Sequence, residues 1–273
     1  MCAGGVPLKI SEASCDQAPR LPIAPPETTP LVLGISPLGR LAMSVPLILI
    51  PGLSASHEVF QPQLERFPNV IVPEWPVPQR QETMTQYAER FAATLPMDQP
   101  CVLGGMSFGG MLAQEMCQVL HPVGLILIAT VRGPEELPLY AKIGRCLHWA
   151  IPLLPIRLLQ SLSRVLECPG VRTWVPLRRI LARQFRHADP ELFRCSLLQI
   201  IRWSAPPPVS CPVWHIHGDR DSVLPASRTS PDELVPGGGH VLTLTSPEAV
   251  NRFIAQCLDA LQSGTAHKDR PGE

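Results

Sequence analysis

The sequence predicts an α/β architecture: a mostly parallel central sheet with helices on both faces and a helical cap inserted into it. Three observations carry this expectation. Short, wholly apolar runs of strand length recur along the chain, separated by segments of helical periodicity, which is the rhythm of a sheet covered on both sides. A serine flanked by glycines stands where one of these runs gives way to a helical pattern. Residues 131–205 break the rhythm, with helical patterning and no clear strand. The chain has 273 residues, 45% of them hydrophobic and 17% charged, which is enough apolar material for one large α/β domain and unlike a disordered chain.

The elements follow in order. Residues 1–30 are Pro-rich and aperiodic and read as a loose extension. Leu31–Ile35 and Arg40–Ser44 form a candidate hairpin around Ser36-Pro37-Leu38-Gly39. Leu47–Ile50, ending in Pro51-Gly52, reads as a buried strand and a turn, and Val70–Val72 as the next strand. Thr83–Leu95 sets Met84, Tyr87, Ala88, Phe91 and Leu95 on one helical face. Cys101–Leu103 is a buried strand leading through Gly104–Gly110 into a helix over Phe108–Leu120. Val123–Ala129, Pro212–Ile216 and the short Glu233–Val235 complete the strands. A closing helix spans Ser246–Leu261, with Ser246 as its N-cap and Pro247 at the first helical position, where a missing N–H costs nothing. The expected core therefore covers residues 31–130 and 206–262, the cap 131–205, and a polar, frayed tail 263–273.

Bulk chemistry narrows the function. Basic and acidic residues balance at 23 each, so charge gives no general case for nucleic acid or an anionic membrane. Nine cysteines with no CxxC pair suit a reduced, cytoplasmic setting, and Met1–Lys9 lacks the pattern of a secretory signal. The apolar stretch Leu147–Leu166 is interrupted by Pro152, Pro155, Arg157 and Arg164, so no stable membrane span is expected. Nothing in the sequence suggests a metal or an organic cofactor, and nothing specifies an oligomeric state.

Gly105-Met106-Ser107-Phe108-Gly109 fits G-x-S-x-G between a strand and a helix, the context that motif requires. So sharp a turn strains the serine backbone and leaves no room for a Cβ two residues before or after it, hence Gly105 and Gly109. The Ser107 hydroxyl is then presented above the sheet, and the Phe108 N–H points at the same spot as an oxyanion donor. A second donor is expected from the loop after the first central strand, Pro51-Gly52-Leu53-Ser54, with the Leu53 N–H as candidate. A serine nucleophile needs a base, and the base an orienting acid, in the chain order Ser, Asp or Glu, His. His240 ends a glycine-rich turn just before the closing helix and is the expected base. His215 and His217 read as packed strand residues, with His217 close to the catalytic edge. His121 lies at a helix end, His148 and His187 lie in the insertion, and His57 is better placed to touch substrate. The acid belongs after the strand Val213–Ile216, where both Asp219 and Asp221 stand. One would orient the base, and the other would cap the turn or pair with Arg220.

In these motifs and their order, from Leu47 to Leu261, the chain resembles the α/β-hydrolase superfamily of serine hydrolases. Its members carry Gly-x-x-Asp-x-Val-x-Pro, matched by Gly218, Asp221, Val223 and Pro225, so the resemblance implies that Asp221 is the acid. The Gly239-His240 step also resembles the family, whereas Pro51-Gly52 stands where the family usually has His-Gly. A serine at the elbow sets the chain apart from the dehalogenase and epoxide-hydrolase branches, which carry Asp there. The implied fold is the α/β-hydrolase fold. The implied activity is cleavage of an ester or thioester of a small-molecule acyl substrate through an acyl-enzyme. The alternatives are an acyltransferase or C–C bond hydrolase on the same triad, or a low-turnover ligand-binding receptor. Residues 131–205 hold 12 basic and 5 acidic residues, a net +7, against −7 for the remainder. That excess reads either as a solvated rim of arginines or as a lid that attracts an anionic substrate. The apolar residues of the insertion, among them Trp149, Leu153, Leu154, Ile156, Leu158, Trp174 and Trp203, are expected to pack on the core or line an acyl pocket.

Overall fold

The computed structural model describes residues 45–79, 81–95, 99–163, 176–206 and 208–264. The N-terminal extension, the candidate hairpin of residues 31–44, Trp174 and the tail beyond Gly264 lie outside the described residues. Six strands form one sheet: β1 (Leu47–Ile50), β2 (Val70–Ile71), β3 (Val102–Met106), β4 (Gly124–Ile128), β5 (Val213–Gly218) and β6 (Glu233–Val235). Their spatial order is β2-β1-β3-β4-β5-β6, and every described pairing is parallel. The chain runs outward from β1 to β2, then crosses back to lay β3 on the other side of β1. The strand order therefore reverses between β1 and β3, and in open parallel sheets the crevice at the carboxyl ends of such a pair is where ligands bind.

Nine helices are described: α1 (Gln61–Arg66), α2 (Met84–Ala92), α3 (Phe108–Leu120), α4 (Leu139–Cys146), α5 (Ile156–Leu162), α6 (Pro176–His187), α7 (Pro190–Arg202), α8 (Leu242–Thr245) and α9 (Pro247–Ser263). The period-2 alternation of side chains along each strand assigns them to two cores. Ile48, Ile50, Leu103, Leu125 and Leu127 face Tyr87 and Phe91 of α2 and Met111, Leu112 and Met116 of α3. Leu47, Leu49, Val102, Ile126 and Ile128 face Phe60 and, from α9, Val250, Phe253 and Ile254. A strand buried on both faces must be apolar at every position, which is why β1 reads Leu-Ile-Leu-Ile. Each such side chain contributes roughly 1.5–3 kcal/mol by burial.

Local signals set several helix ends. Thr83 and Gln86 close a capping box at α2, and the Asp189 carboxylate accepts the N–H groups of Glu191 and Leu192 at 2.8 Å at the start of α7. Ser246 precedes α9 as expected, but its side chain makes no capping hydrogen bond. The serine also ends α8, its own N–H bonded to the Leu242 carbonyl at 2.8 Å, and its backbone (φ −142°, ψ 52°) is not that of an ordinary N-cap.

Between β4 and β5 the described residues form helices α4 to α7 and two 3₁₀ turns, Pro134–Glu136 and His148–Leu153, with no strand. This helical segment meets the sheet domain at several places, among them Tyr140 of α4, the turn Pro134–Glu136, and α7 with the residue after it. Trp203 Nε1 donates to Glu115 Oε1 at 2.8 Å, while Thr85 Oγ1 donates to Glu115 Oε2 at 2.9 Å, so one buried carboxylate ties together α2, α3 and the end of α7. Of the apolar residues expected to pack inward, Ile156 and Trp203 are buried and Leu154 is half-buried. Trp149, Leu153 and Leu158 instead point to solvent, at 64%, 75% and 57% exposure.

Candidate active site

Ser107 is the single residue between β3 and α3 and holds φ 55°, ψ −123°, a strained left-handed-side conformation for a residue with a Cβ. What surrounds it explains the flanking glycines. A Cβ on Gly105 would lie 2.3 Å from the Gly109 carbonyl oxygen, and one on Gly109 would lie 2.1 Å from that of Pro51. The loop after β1 is thus pressed against the elbow. A Cβ on Gly52 would meet Ser107 Cβ at 3.5 Å, and the Ala55 N–H closes the turn onto the Gly52 carbonyl at 3.0 Å. Leu53 follows in that turn and lines the same cavity as Ser107. Phe108 is the first residue of α3, so its N–H has no acceptor within the helix. The Ser107 carbonyl, by contrast, is fully used: it accepts from Gly110 N–H, Met111 N–H and, at 2.6 Å, from Thr130 Oγ1.

The other sequence-predicted side chains come together at this point. Ser107 Oγ lies 2.9 Å from His240 Nε2, and His240 Nδ1 lies 2.8 Å from Asp221 Oδ2. Asp221 follows β5 and His240 follows β6, two loops joined by close backbone contact. A Cβ on Gly218 would sit 2.3 Å from the Gly238 carbonyl oxygen, and Arg220 N–H donates to that oxygen at 2.8 Å. With Nδ1–H donating to Asp221, a neutral His240 ring has Nε2 placed to accept the serine hydroxyl proton.

Asp219 and Asp221 divide the work differently from either option the sequence left open. Asp219 is exposed, and its side chain makes no hydrogen bond among the described residues. Asp221 both caps the turn and meets the histidine. Its Oδ1 accepts the N–H groups of Val223 and Leu224 at 2.8 and 2.9 Å while Oδ2 faces His240. A carboxylate has about four lone-pair sites, so one residue suffices for both duties.

His217, read from the sequence as a packed strand residue close to the catalytic edge, touches Asp221. Its Nε2 is 2.8 Å from the Leu224 carbonyl and 3.2 Å from Asp221 Oδ2. Its Nδ1 lies 3.2 Å from Nε2 of the equally buried His215. Burial alone would raise the Asp221 carboxyl. The bonds from His217 and His240 outweigh burial and hold it well below the usual carboxylate range. Burial pushes His215 down to about 3, helped by the neighbouring His217 and Arg132. The sequence signal for His217 is its place four residues before the acid, at the carboxyl end of a strand.

Ser107 and His240 open into a cavity of about 520 Å³ whose far side comes from the helical segment: Leu137, Phe185, Phe193, Leu197, Ile200 and Ile201. No Arg or Lys lines it. The basic excess of residues 131–205 is partly spent elsewhere, Arg145 on the carbonyls of Ile201 and Trp203, and Arg194 on Glu191 and the Leu154 carbonyl. A second, polar cleft of about 600 Å³ adjoins the first and is lined by His57, among others. No cluster of residues suited to a metal ion occurs among the described residues, and no helix among them is long and apolar enough to cross a membrane.

A family model described as "Alpha/beta hydrolase family" matches residues 47–253. No curated protein matches the sequence. Among solved structures, the chain is similar to a thermophilic esterase from Thermogutta terrifontis, at 20% identity and a TM-score of 0.62 over 80% of this chain and 90% of that one. It is also similar to MenH from S. aureus, at 16% identity and a TM-score of 0.61 over 80% of this chain and 94% of that one. A third is the RedJ thioesterase of the prodiginine biosynthetic pathway in Streptomyces coelicolor, at 20% identity and a TM-score of 0.52 over 78% of this chain and 89% of that one. At these identities the likeness is one of fold.

Proposed function

The chain belongs to the alpha/beta hydrolase family and is an enzyme of the hydrolase type, and on that premise we propose that it cleaves an ester or thioester through an acyl-enzyme on Ser107. The observation that carries this reading is the unbroken hydrogen-bonded line Ser107–His240–Asp221 opening into an apolar cavity. Ser107 Oγ attacks the acyl carbon as its proton passes to His240 Nε2, and Asp221 stabilises the imidazolium through Nδ1–H. The oxyanion is held by the N–H groups of Phe108 and Leu53. Collapse breaks the bond to the alcohol or thiol, which leaves with the proton from His240. A water molecule, deprotonated by the same nitrogen, then releases the acid and restores the serine.

The apolar cavity holds the acyl chain, and residues 131–205 act as the cap that completes it. Similarity in fold to an esterase and a thioesterase supports this substrate class. Release of p-nitrophenol from p-nitrophenyl acyl esters tests the reading, together with labelling by a fluorophosphonate. Ser107 should be the one labelled serine, and Ser107→Ala should abolish both signals. Labelling that survives the substitution at an equal rate removes Ser107 from the role. Absence of turnover in the wild type with tight ester binding assigns the protein to the receptor class. Acyl transfer to an added acceptor alcohol, in place of release as free acid, assigns it to the transferases.

A further inference from the structure

Where the apolar cavity meets the polar cleft, three side-chain atoms find no hydrogen-bond partner among the described residues. Gln184 of α6 is 7% exposed, and neither its Nε2 nor its Oε1 has a hydrogen-bond partner among the described residues. The Oγ of Ser54, in the loop after β1, is also buried without one. Both residues line both cavities, so they stand at the doorway between them. Buried polar atoms in native proteins are nearly always satisfied by protein or water, and a group left over at a cavity wall is open to bond whatever enters the cavity, water or ligand.

The chemistry of the leftover atoms specifies the visitor. The Gln184 amide offers a donor and an acceptor side by side, and the Ser54 hydroxyl adds either. A carboxylate or phosphate would use the donor and leave Oε1 facing a negative charge. An alkyl group would leave all three atoms buried and unpaired, at a cost in binding. A secondary amide, with one C=O and one N–H, matches both. The cleft beyond also lacks a single sign of charge, since Arg183 and His187 share its lining with Glu58, Glu74 and Asp189.

We infer that the polar cleft is the leaving-group subsite and that Gln184, with Ser54, recognises an uncharged secondary amide in the alcohol or thiol portion of the substrate. The acyl chain lies in the apolar cavity, which Ser107 itself lines. This assignment rests on the proposed ester or thioester hydrolysis and narrows it to one class of leaving group.

Two octanoyl thioesters of equal length test it, one of N-acetylcysteamine, which carries the amide, and one of 1-pentanethiol, which does not. The readout is the preference, the ratio of their kcat/KM values, whatever the absolute rates. The wild type should prefer the amide-bearing thioester. Gln184→Leu should reduce that preference about tenfold and Ser54→Ala about threefold, each losing hydrogen bonds to one substrate alone. Ser54→Ala serves if Gln184→Leu does not fold. A wild type that prefers the pentyl thioester, or a preference unmoved by both variants, overturns the subsite. Calorimetric binding of both thioesters to Ser107→Ala separates this failure from failure of the hydrolase reading. No turnover in the wild type, with an amide preference in binding that Gln184→Leu removes, leaves the subsite standing and ends the hydrolysis proposal. Neither turnover nor a binding preference overturns both.

Discussion

The cavity above Ser107 has two walls, and they are held by different means. On the sheet side the contacts are between backbones. The loop after β1 leaves no space for a Cβ on Gly109, the Gly218 and Gly238 backbones touch, and Asp221 is anchored by two N–H groups as well as two histidines. On the helical side the contacts are between side chains. Phe185 and Phe193 meet edge to face with centroids 5.1 Å apart, and Leu197, Ile200 and Ile201 fill in around them. Backbone contacts cannot be repacked by substituting one side chain, whereas an apolar wall can change shape and keep its cohesion. The sheet wall is thus suited to hold reacting groups to a fraction of an ångström, and the helical wall to set which chain fits.

Effects on rate should therefore fall almost wholly on the sheet wall. Ser107→Ala and His240→Ala should each lower kcat by on the order of 10⁶ in ester hydrolysis, as loss of a triad nucleophile or base does elsewhere. A near-normal rate in His240→Ala would hand the base to another histidine, and His217 is next to the acid. Asp221→Asn should cost about 10⁴ in kcat, since the imidazole is then held in the wrong tautomer. Asp219→Asn, two residues away and exposed, should stay within about twofold. The reverse ordering would break the link drawn here between anchoring and catalysis.

Stability should respond to pH on the same side of the cavity. The folded-state pKa of His215, about 3, lies below the ordinary value of ~6.5, so protonation favours the unfolded chain. The stability contributed by the neutral ring is present above about pH 6.5 and is lost progressively as pH falls towards 3. From pH 7 to pH 5 that loss is about 2 kcal/mol. His215→Gln keeps a donor for His217 and removes the titration. Thermal melts of the variant should therefore drop less between pH 7 and pH 5 than those of the wild type, and an equal drop would place the acid sensitivity elsewhere. The smallest effect belongs to the helical wall. Leu197→Ala should alter the ratio of kcat/KM between long and short acyl esters about tenfold, about the worth of a lost apolar contact. If all chain lengths suffer alike, that wall has a share in positioning the reacting groups.

The helical wall is also where the sequence was hardest to read. Helical patterning over residues 131–205 predicts an inserted helical cap but does not say what covers each face. Trp149, Leu153 and Leu158 were expected inside and lie outside, while Phe185, Phe193 and Leu197 took the cavity. The charge count had the same blind spot. A net +7 over residues 131–205 is a sum over the chain, and no Arg or Lys lines the Ser107 cavity. In the sheet the reading was close, and the helix Phe108–Leu120 and the strands Leu47–Ile50 and Glu233–Val235 match residue for residue. The remaining strands were displaced by one to three residues at their ends. β3, for instance, runs on through Gly104, Gly105 and Met106, because those residues pair with β1 and β4 before the chain turns.

The sequence by itself determined what local chemistry can determine. Wholly apolar strands demand burial on both faces, glycines two before and two after Ser107 permit one kind of turn, and a histidine behind three glycines has the freedom to reach it. Only the tertiary structure decided which side chains complete the site. Asp221 serves as cap and histidine partner at once, His217 lends the acid a second contact, and Gln184, without a hydrogen-bond partner among the described residues, stands between two cavities. Each of these depends on which residues from elsewhere in the chain arrive alongside. A hydrogen bond made or left unmade across 19 or 133 positions of sequence leaves no trace in the local pattern of either partner.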